Sequence, residues 1–250
     1  MQEKFPDIFD QLSSFHPITL ADMDSVKLMN RTDTKFVFER SLLPELMEAL
    51  SKEYKVLNVN GNRISAYKTL YFDTPKFKFY MNHHNGRENR FKVRIRNYVE
   101  SDLFFLEIKN KKKGRTIKSR IRLDDFEMDL TNKSANYVEE VVGSGTKVEA
   151  KLWNSFNRIT LVQEKIKERL TLDLGLSFSW NEIEKRYDHI VIAELKQENV
   201  NRESLFYSLM KKHEIRPSGM SKYCVGVISL FAELKYNVFK EKLLLIEKLG

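Results

Sequence analysis

Between Arg87 and Arg122, basic side chains recur at alternate positions with apolar residues between them. This segment holds thirteen Lys or Arg and only four Asp or Glu. Side chains alternate faces along a β-strand, so each strand here would have one cationic face and one buried face. Neighbouring like charges repel one another, so the pattern predicts a bound polyanion, and the alternative is a solvated basic face without a ligand. The side chains that would bind it are Arg90, Lys92, Arg94, Arg96, Lys118, Arg120 and Arg122.

Charged residues at alternate positions also occur in other segments. These sets are Arg31 with Asp33 and Lys35, Glu107 with Lys109, Lys165 with Lys167 and Arg169, and Glu194 with Lys196. If all of them point into one barrel, the lumen of that barrel is charged. Unpaired buried charges are very unfavourable, so such a lumen must contain water, ions and an anionic ligand.

The composition is typical of a folded protein with an anionic partner. The 250 residues are 42% apolar and 12% aromatic, with a net charge of +8. These values exclude a disordered chain and favour nucleic acid, phosphate compounds or an anionic membrane surface as partner. The single cysteine, Cys224, cannot form an internal disulfide, and we interpret it as a small buried side chain. No signal peptide or membrane span is legible, so we expect a cytoplasmic protein without membrane insertion.

The periodicity predicts the elements that position these residues. We expect short helical pieces and loops in the first 28 residues, and helices at Leu42–Glu53, Lys147–Phe156 and Glu203–Lys212. A short helix or turn at Pro75–Asn82 and a long last helix from Ser218 or Ser221 complete the helical set. Strands are predicted at Thr34–Glu39, Lys55–Val59, Ser65–Asp73, Arg90–Tyr98, Leu103–Lys109, Thr116–Leu123, Ile159–Lys167, Glu168–Trp180 and His189–Lys196.

These elements predict an α+β fold in a single domain over residues 1–250, because no linker or internal repeat divides the chain. Eight or nine strands, mostly joined as hairpins, favour an antiparallel β-barrel closed into a tunnel. Helices would flank the barrel, and the long C-terminal helix would end the chain.

The ordered motifs resemble the triphosphate tunnel metalloenzymes, and among them the polyphosphate-polymerase domain of the vacuolar transporter chaperone (VTC) proteins. The resemblance runs from Arg31 to Gly226. The stretches that carry it are Arg31–Phe36, Tyr71–Pro75, Arg90–Tyr98, Phe105–Lys109, Arg169–Asp173, Ile192–Lys196 and Ser221–Tyr223.

The resemblance implies a tunnel of about eight antiparallel strands that binds a nucleotide triphosphate or polyphosphate with Mn²⁺ or Mg²⁺. It implies Glu194 as the main metal carboxylate and Glu107 as a second acid. The implied catalytic phosphate ligands are Lys35, Arg94, Arg96, Lys109, Arg169 and Lys222. Further substrate contacts are expected from Arg31, Arg90, Lys92, Lys118, Arg120, Arg122, Lys165, Lys167, Lys196 and Ser221.

This chain departs from the family pattern in its first motif. The hydrolase branch usually opens with Glu-x-Glu-x-Lys, whereas this sequence has Arg31-x-Asp33-x-Lys35, which looks like the VTC branch. We expect neither the phosphate-sensing domain nor the membrane helices that accompany the eukaryotic transporter proteins. We therefore expect any membrane association to require a partner protein.

The expected chemistry is phosphoryl transfer, in which positioning and charge neutralisation supply most of the catalysis. ATP with a phosphate chain end as acceptor would make the chain a polyphosphate polymerase, and water as acceptor would make it a triphosphatase. A non-catalytic polyphosphate or inositol-phosphate receptor is a further alternative. The rival from another class is a nucleic-acid-binding module. We do not expect nucleic acid as a partner, because the strand Arg90–Tyr98 places only Tyr98 among its cations as an aromatic side chain, and because Glu107 and Glu194 would repel a nucleic acid unless they hold metal.

Overall fold

The computed structural model describes residues 6–23 and 31–250, without the side chains of residues 6 and 7. The expectations for the chain start and for residues 24–28 therefore fall partly outside the described residues. Within those limits the chain forms seven α-helices. They are α1 (Pro6–Ser13), α2 (Leu43–Leu50), α3 (Lys78–His84), α4 (Asn132–Val142), α5 (Leu205–Lys212), α6 (Lys222–Leu230) and α7 (Lys240–Lys248).

Eleven strands in the described residues belong to one sheet. They are β1 (His16–Ile18), β2 (Thr32–Glu39), β3 (Lys55–Leu57), β4 (Ser65–Asp73), β5 (Arg90–Tyr98), β6 (Leu103–Lys112), β7 (Arg115–Leu123), β8 (Glu149–Gln163), β9 (Glu168–Trp180), β10 (Ile183–Tyr187) and β11 (Ile190–Gln197). The main path is β2-β11-β9-β8-β4-β5-β6-β7, with β10 beside β9 and β3 between β1 and β8. All of these pairs are antiparallel except β1 with β3.

The two ends of this path, β2 and β7, are not hydrogen-bonded to each other in the described part of the chain. Charges near these two strands nevertheless interact. Partial desolvation lowers the pKa of Lys118 on β7, and the positive charge of Arg31, which precedes β2, lowers that pKa further. The antiparallel α+β architecture is confirmed, with more strands than predicted. Closure into a complete barrel stays a prediction.

Two apolar layers cover the convex side of the sheet. Helices α1, α2 and α5 pack on the outward side chains of β2, β11, β9 and β8, where Phe36, Leu172 and Ala193 are fully buried. Helices α3 and α4 pack on the outward side chains of β4, β5 and β6, which include Val93 and Leu106. Burying these apolar faces leaves the alternate side chains of every strand on the concave side.

Helix α6 lies on the concave side and fills it where β11 begins and β2 ends. Its Tyr223 and Val227 are buried in a cluster with Val37, Phe178 and Ile192 from the strands. The approach is close: a β-carbon added at Gly226 would lie 2.6 Å from the Phe178 ring. Glycine is therefore required for α6 to reach the sheet.

Several predicted elements are corrected by the structure. Lys147–Phe156 is not a helix, because β8 starts at Glu149 and pairs with β4 and β9. The long last helix is wrong as well: α6 begins after Ser221 and ends at Leu230, and α7 is separate. Two strands, β1 and β10, were not predicted.

No helix among the described residues is long and apolar enough to cross a membrane. Cys224 is buried and unpaired within α6, as the sequence predicted.

Candidate functional site

Strand β5 has the two faces that its sequence predicts. Val93 and Ile95 are fully buried in the outer core, whereas Arg94 and Arg96 point to the concave side and are each 7% exposed. Directly opposed residues on neighbouring strands share a face. The pairing therefore brings a set of charged side chains together on the concave side, which we call the lumen: Lys35, Lys92, Arg94, Arg96, Glu107, Lys109, Lys118, Arg158, Arg169, Asp173, Glu194 and Lys196.

Glu194 lies between two lysines. Its partner across the β2–β11 ladder is Lys35, whose Nζ is 2.5 Å from Glu194 Oε1, and Lys196 Nζ donates to Oε2. Burial alone would raise the pKa of Glu194, but Lys196 and Lys35 outweigh burial and hold that pKa well below its usual range. The carboxylate is therefore ionised, and it fixes both ammonium groups in place.

A second carboxylate, Asp173, was not among the predicted site residues. Arg158 donates from Nε and Nη2 to its two oxygens at 2.6 and 2.8 Å, and Lys222 Nζ lies 2.5 Å from Oδ2. Burial opposes ionisation of Asp173, but Arg158 and Lys222 hold its pKa below the usual range. Because Lys222 is the first residue of α6, this contact ties the N-terminus of α6 to the lumen wall.

Glu107 forms the third ion pair of the lumen. Arg94 donates to Glu107 Oε2 from Nε at 2.7 Å and from Nη2 at 2.6 Å, and the Tyr98 hydroxyl lies 3.3 Å from Oε1. Burial would raise the pKa of Glu107, yet Arg94 and Arg96 lower it to about 2. Glu107 therefore orients Arg94 on the lumen face.

Other lumen cations have no carboxylate partner among the described residues: Lys92, Arg96, Lys109, Lys118 and Arg169. Burial lowers the pKa of Lys92, Arg96 and Arg169, and nearby cations lower each of them further. The pKa of Lys109 lies well below its usual range, first because of Arg94 and then because of burial. A bound anion would neutralise this excess of positive charge.

The remaining predicted contacts lie at the edges of this site or away from it. Arg31 pairs with Asp33 at 3.0 Å, and Arg90 Nη1 donates to the Arg87 carbonyl at 3.2 Å. Arg120 and Arg122 lie opposite Glu107 and Phe105 in the β6–β7 register, so both are on the lumen face at its exposed β7 edge. The Arg120 guanidinium lies 4.4 Å from the centre of the Phe105 ring.

Two further groups of predicted contacts have other local roles. Ser221 accepts a hydrogen bond from the Cys224 N–H at 3.3 Å and thereby caps α6. Lys165 and Lys167 lie in the exposed turn between β8 and β9, so the expectation that they continue the strand face of Arg169 is wrong.

Aromatic side chains also lie in the lumen, which the pattern of β5 alone did not indicate. Tyr67 stacks on Phe156 at 5.0 Å between centroids, and the guanidinium groups of Arg96 and Arg158 lie 5.4 and 5.0 Å from the Tyr67 ring. The Tyr67 and Phe156 rings already contact protein groups, so these two rings orient the arginines and are not open platforms for stacking bases.

The carboxylates fit a divalent ion that is bound together with phosphate. Among the residues that the structure describes, no three His, Cys, Asp or Glu side chains converge on one point. Mg²⁺ commonly takes one or two protein carboxylates and completes its coordination with phosphate oxygens and water. Glu194 fits this role, because its partners Lys35 and Lys196 are flexible ammonium groups that can turn to phosphate.

Comparisons with known proteins agree with this architecture. Residues 30–231 match the model of the VTC domain. A search of curated proteins finds no match. The fold is similar to that of a candidate adenylyl cyclase from Hippeastrum with a dominant triphosphatase activity. The TM-score is 0.50 at 15% identity, over 80% of this chain and 97% of that one.

Two bacterial structures are also similar to this chain. A candidate adenylate cyclase from Bacillus halodurans has a TM-score of 0.48 at 15% identity, over 77% of this chain and 96% of its own. A candidate adenylate cyclase from Vibrio parahaemolyticus has a TM-score of 0.46 at 12% identity, over 80% of this chain and 99% of its own.

Proposed function

This chain belongs to the VTC domain family, and we propose that it is an enzyme that transfers phosphoryl groups of ATP, triphosphate or polyphosphate in its lumen. The observation that carries this proposal is the row of lumen cations without carboxylate partners. Lys92, Lys109 and Lys118 lie directly opposite one another on β5, β6 and β7, with Arg96 further along β5. Successive phosphates of one chain would neutralise such a row.

The residues divide into groups with different tasks. Arg94, Arg96 and Arg169 would bind phosphate oxygens through paired N–H donors, and Lys35, Lys109 and Lys222 would act as compact charges. Glu107 keeps the Arg94 guanidinium oriented before substrate arrives, and Asp173 does the same for Arg158 and Lys222. Pre-oriented charges need no reorganisation as negative charge moves toward the leaving group during transfer.

The proposed cofactor is Mg²⁺ or Mn²⁺, held by Glu194 and by phosphate oxygens, with Glu107 as a second acid directly or through water. Bound there, such an ion would neutralise charge on the phosphates. When phosphate enters, Lys35 and Lys196 would turn from Glu194 to phosphate oxygens and free both carboxylate oxygens. We propose direct in-line attack by the acceptor, without a phosphorylated side chain.

Within this class we favour ATP-driven polyphosphate synthesis, in which the acceptor is a phosphate chain end. The support is the length of the basic track: on β5 it runs from Arg96 through Arg94 and Lys92 to Arg90, longer than one triphosphate requires. Hydrolysis by water is the second candidate, since α6 and its apolar cluster fill part of the lumen at one end and restrict the passage of a growing chain.

The test is a product assay with purified protein and phosphorus NMR. The protein is incubated with ATP and Mn²⁺ or Mg²⁺, and separately with tripolyphosphate. A rising resonance of internal chain phosphates establishes a polymerase, and inorganic phosphate alone establishes a triphosphatase. Absence of turnover together with tight polyphosphate binding would leave a receptor, and absence of both would refute the proposal.

A further inference from the structure

A cavity of about 530 Å³ lies outside the lumen, on the convex side of the sheet. It is formed where α3, the start of β5 and the loop between α4 and β8 meet. Side chains with hydrogen-bonding groups line most of it, and Phe79, Phe91 and Val142 form its apolar part. No residue of the proposed phosphoryl-transfer site contributes to it.

The charge of this cavity is positive. Lys78 of α3 and Lys147 of the α4–β8 loop both line it, and neither has a carboxylate partner among the described residues. Glu139 of α4 accepts a hydrogen bond from the Gly145 N–H at 3.1 Å, and this contact helps to shape the loop. Neutral donors complete the lining: Thr74, Asn82, Asn89, Ser144 and Thr146.

We propose that this outer cavity binds a small anion that carries phosphate groups. Two ammonium groups from two different elements suit a divalent or trivalent anion, and the hydroxyl and amide donors of the lining match its oxygens. The site would bind whether or not the lumen is catalytic. Free pyrophosphate and the diphosphate of a nucleotide share this chemistry, and separate titrations distinguish them.

A continuous set of contacts joins this cavity to the lumen. Asp73 accepts from the Phe79 and Tyr80 N–H groups of α3, each at 2.8 Å, and from the Tyr223 hydroxyl of α6 at 2.5 Å. Lys222, next to Tyr223, binds Asp173 in the lumen wall. An anion that holds α3 would therefore steady α6 and the position of the Lys222 ammonium group.

The test separates the two anion sites with paired variants of the full chain. Arg96→Ala/Lys109→Ala weakens binding in the lumen, and Lys78→Gln/Lys147→Gln removes the outer charges. The matched control is Lys76→Gln/Lys133→Gln, which removes the same charge from exposed positions that do not line the cavity. Thermal melts verify that each variant is folded.

Calorimetric titrations use pyrophosphate, and then ADP, without divalent metal. The lumen variant should still bind one equivalent of pyrophosphate, and adding Lys78→Gln/Lys147→Gln to it should weaken that binding at least tenfold. The Lys76→Gln/Lys133→Gln control in the same background should change it less than threefold. Binding of ADP as tight as pyrophosphate would identify the nucleotide as the source of the diphosphate.

Hydrogen exchange locates the site in the same lumen variant. Pyrophosphate should slow exchange in peptides covering residues 78–84, 142–148 and 222–230. Loss of all pyrophosphate binding in the folded lumen variant would overturn the proposal. The proposal would also fail if Lys78→Gln/Lys147→Gln and the control Lys76→Gln/Lys133→Gln weakened pyrophosphate binding equally. Neither result depends on turnover, so failure here is distinct from failure of the proposed phosphoryl transfer.

Discussion

Replacing Lys109 with methionine should stabilise the protein and weaken its binding of polyphosphate. Lys109 stands between Lys92 and Lys118 in the register of β5, β6 and β7. Its pKa lies well below the usual range, because of Arg94 first and burial second. Methionine is also unbranched, is one atom shorter than lysine, and removes the charge.

The size of the change in stability follows from two like-charged pairs, Lys109 with Lys92 and Lys109 with Lys118. A like-charge pair placed directly across two strands destabilises by about 0.2–1 kcal/mol. The half-buried position of Lys109 favours the upper part of that range, whereas the exposure of Lys118 favours the lower part. We therefore expect Lys109→Met to raise the free energy of unfolding by about 1 kcal/mol, which corresponds to about 2–4 °C in Tm for a chain of this length.

The assay is thermal unfolding with and without tripolyphosphate, at low and high salt. Without ligand the variant should melt higher than wild type, and salt should narrow the difference. With tripolyphosphate in excess, the variant should melt at the same temperature as wild type or lower. The reason is that tenfold weaker binding reduces the stabilisation by ligand by about 1.4 kcal/mol. The control Lys112→Met, at the exposed end of β6, should change neither quantity by more than about 0.5 kcal/mol.

A lower melting temperature for Lys109→Met without ligand would refute the conclusion that this lysine is electrostatically unsatisfied. Equal shifts by tripolyphosphate in variant and wild type would show that Lys109 does not contact phosphate.

Three further outcomes are expected. Glu194→Ala should remove Mn²⁺- or Mg²⁺-dependent turnover while the circular dichroism spectrum stays native, and normal turnover would exclude Glu194 as the metal ligand. Arg94→Ala should weaken tripolyphosphate binding by about 1–3 kcal/mol in a calorimetric titration, as for a lost charged hydrogen bond, and unchanged affinity would place Arg94 outside the phosphate site. Glu107 has a folded-state pKa of about 2 against an ordinary 4.5, so it contributes about 3 kcal/mol above pH 4.5 that is lost as pH falls toward 2. Denaturant unfolding of Glu107→Gln and wild type should therefore converge across that pH window, and a constant gap would contradict this assignment.

Strands with strict alternation were predicted well. Ser65–Asp73, Arg90–Tyr98 and Glu168–Trp180 have the predicted bounds, because a buried face at period two excludes a helix. The basic face of β5 follows from the same alternation. The resemblance to the VTC domain, read from short ordered motifs, is confirmed by the family match over residues 30–231.

The errors fall where local sequence fits more than one structure. In Lys147–Phe156 the apolar residues suit a helical face as well as a strand, and pairing with β4 decides for the strand. That error also concealed Arg158, which lies within β8 between the predicted helix and the predicted strand that starts at Ile159. Asp173 lay two positions beyond Thr171 in a motif already singled out, so the alternation of β9 itself would have placed it in the lumen.

The sequence alone determined that strands of this chain have one basic and one apolar face, because alternation is a local property of an extended backbone. Which charges are neutralised was decided only by tertiary structure. Asp173 on β9, Arg158 on β8 and Lys222 on α6 are far apart in the chain, yet they meet in one buried cluster. Charges act over a few ångströms through space, so the row of cations left for a ligand emerges only when the strands are paired.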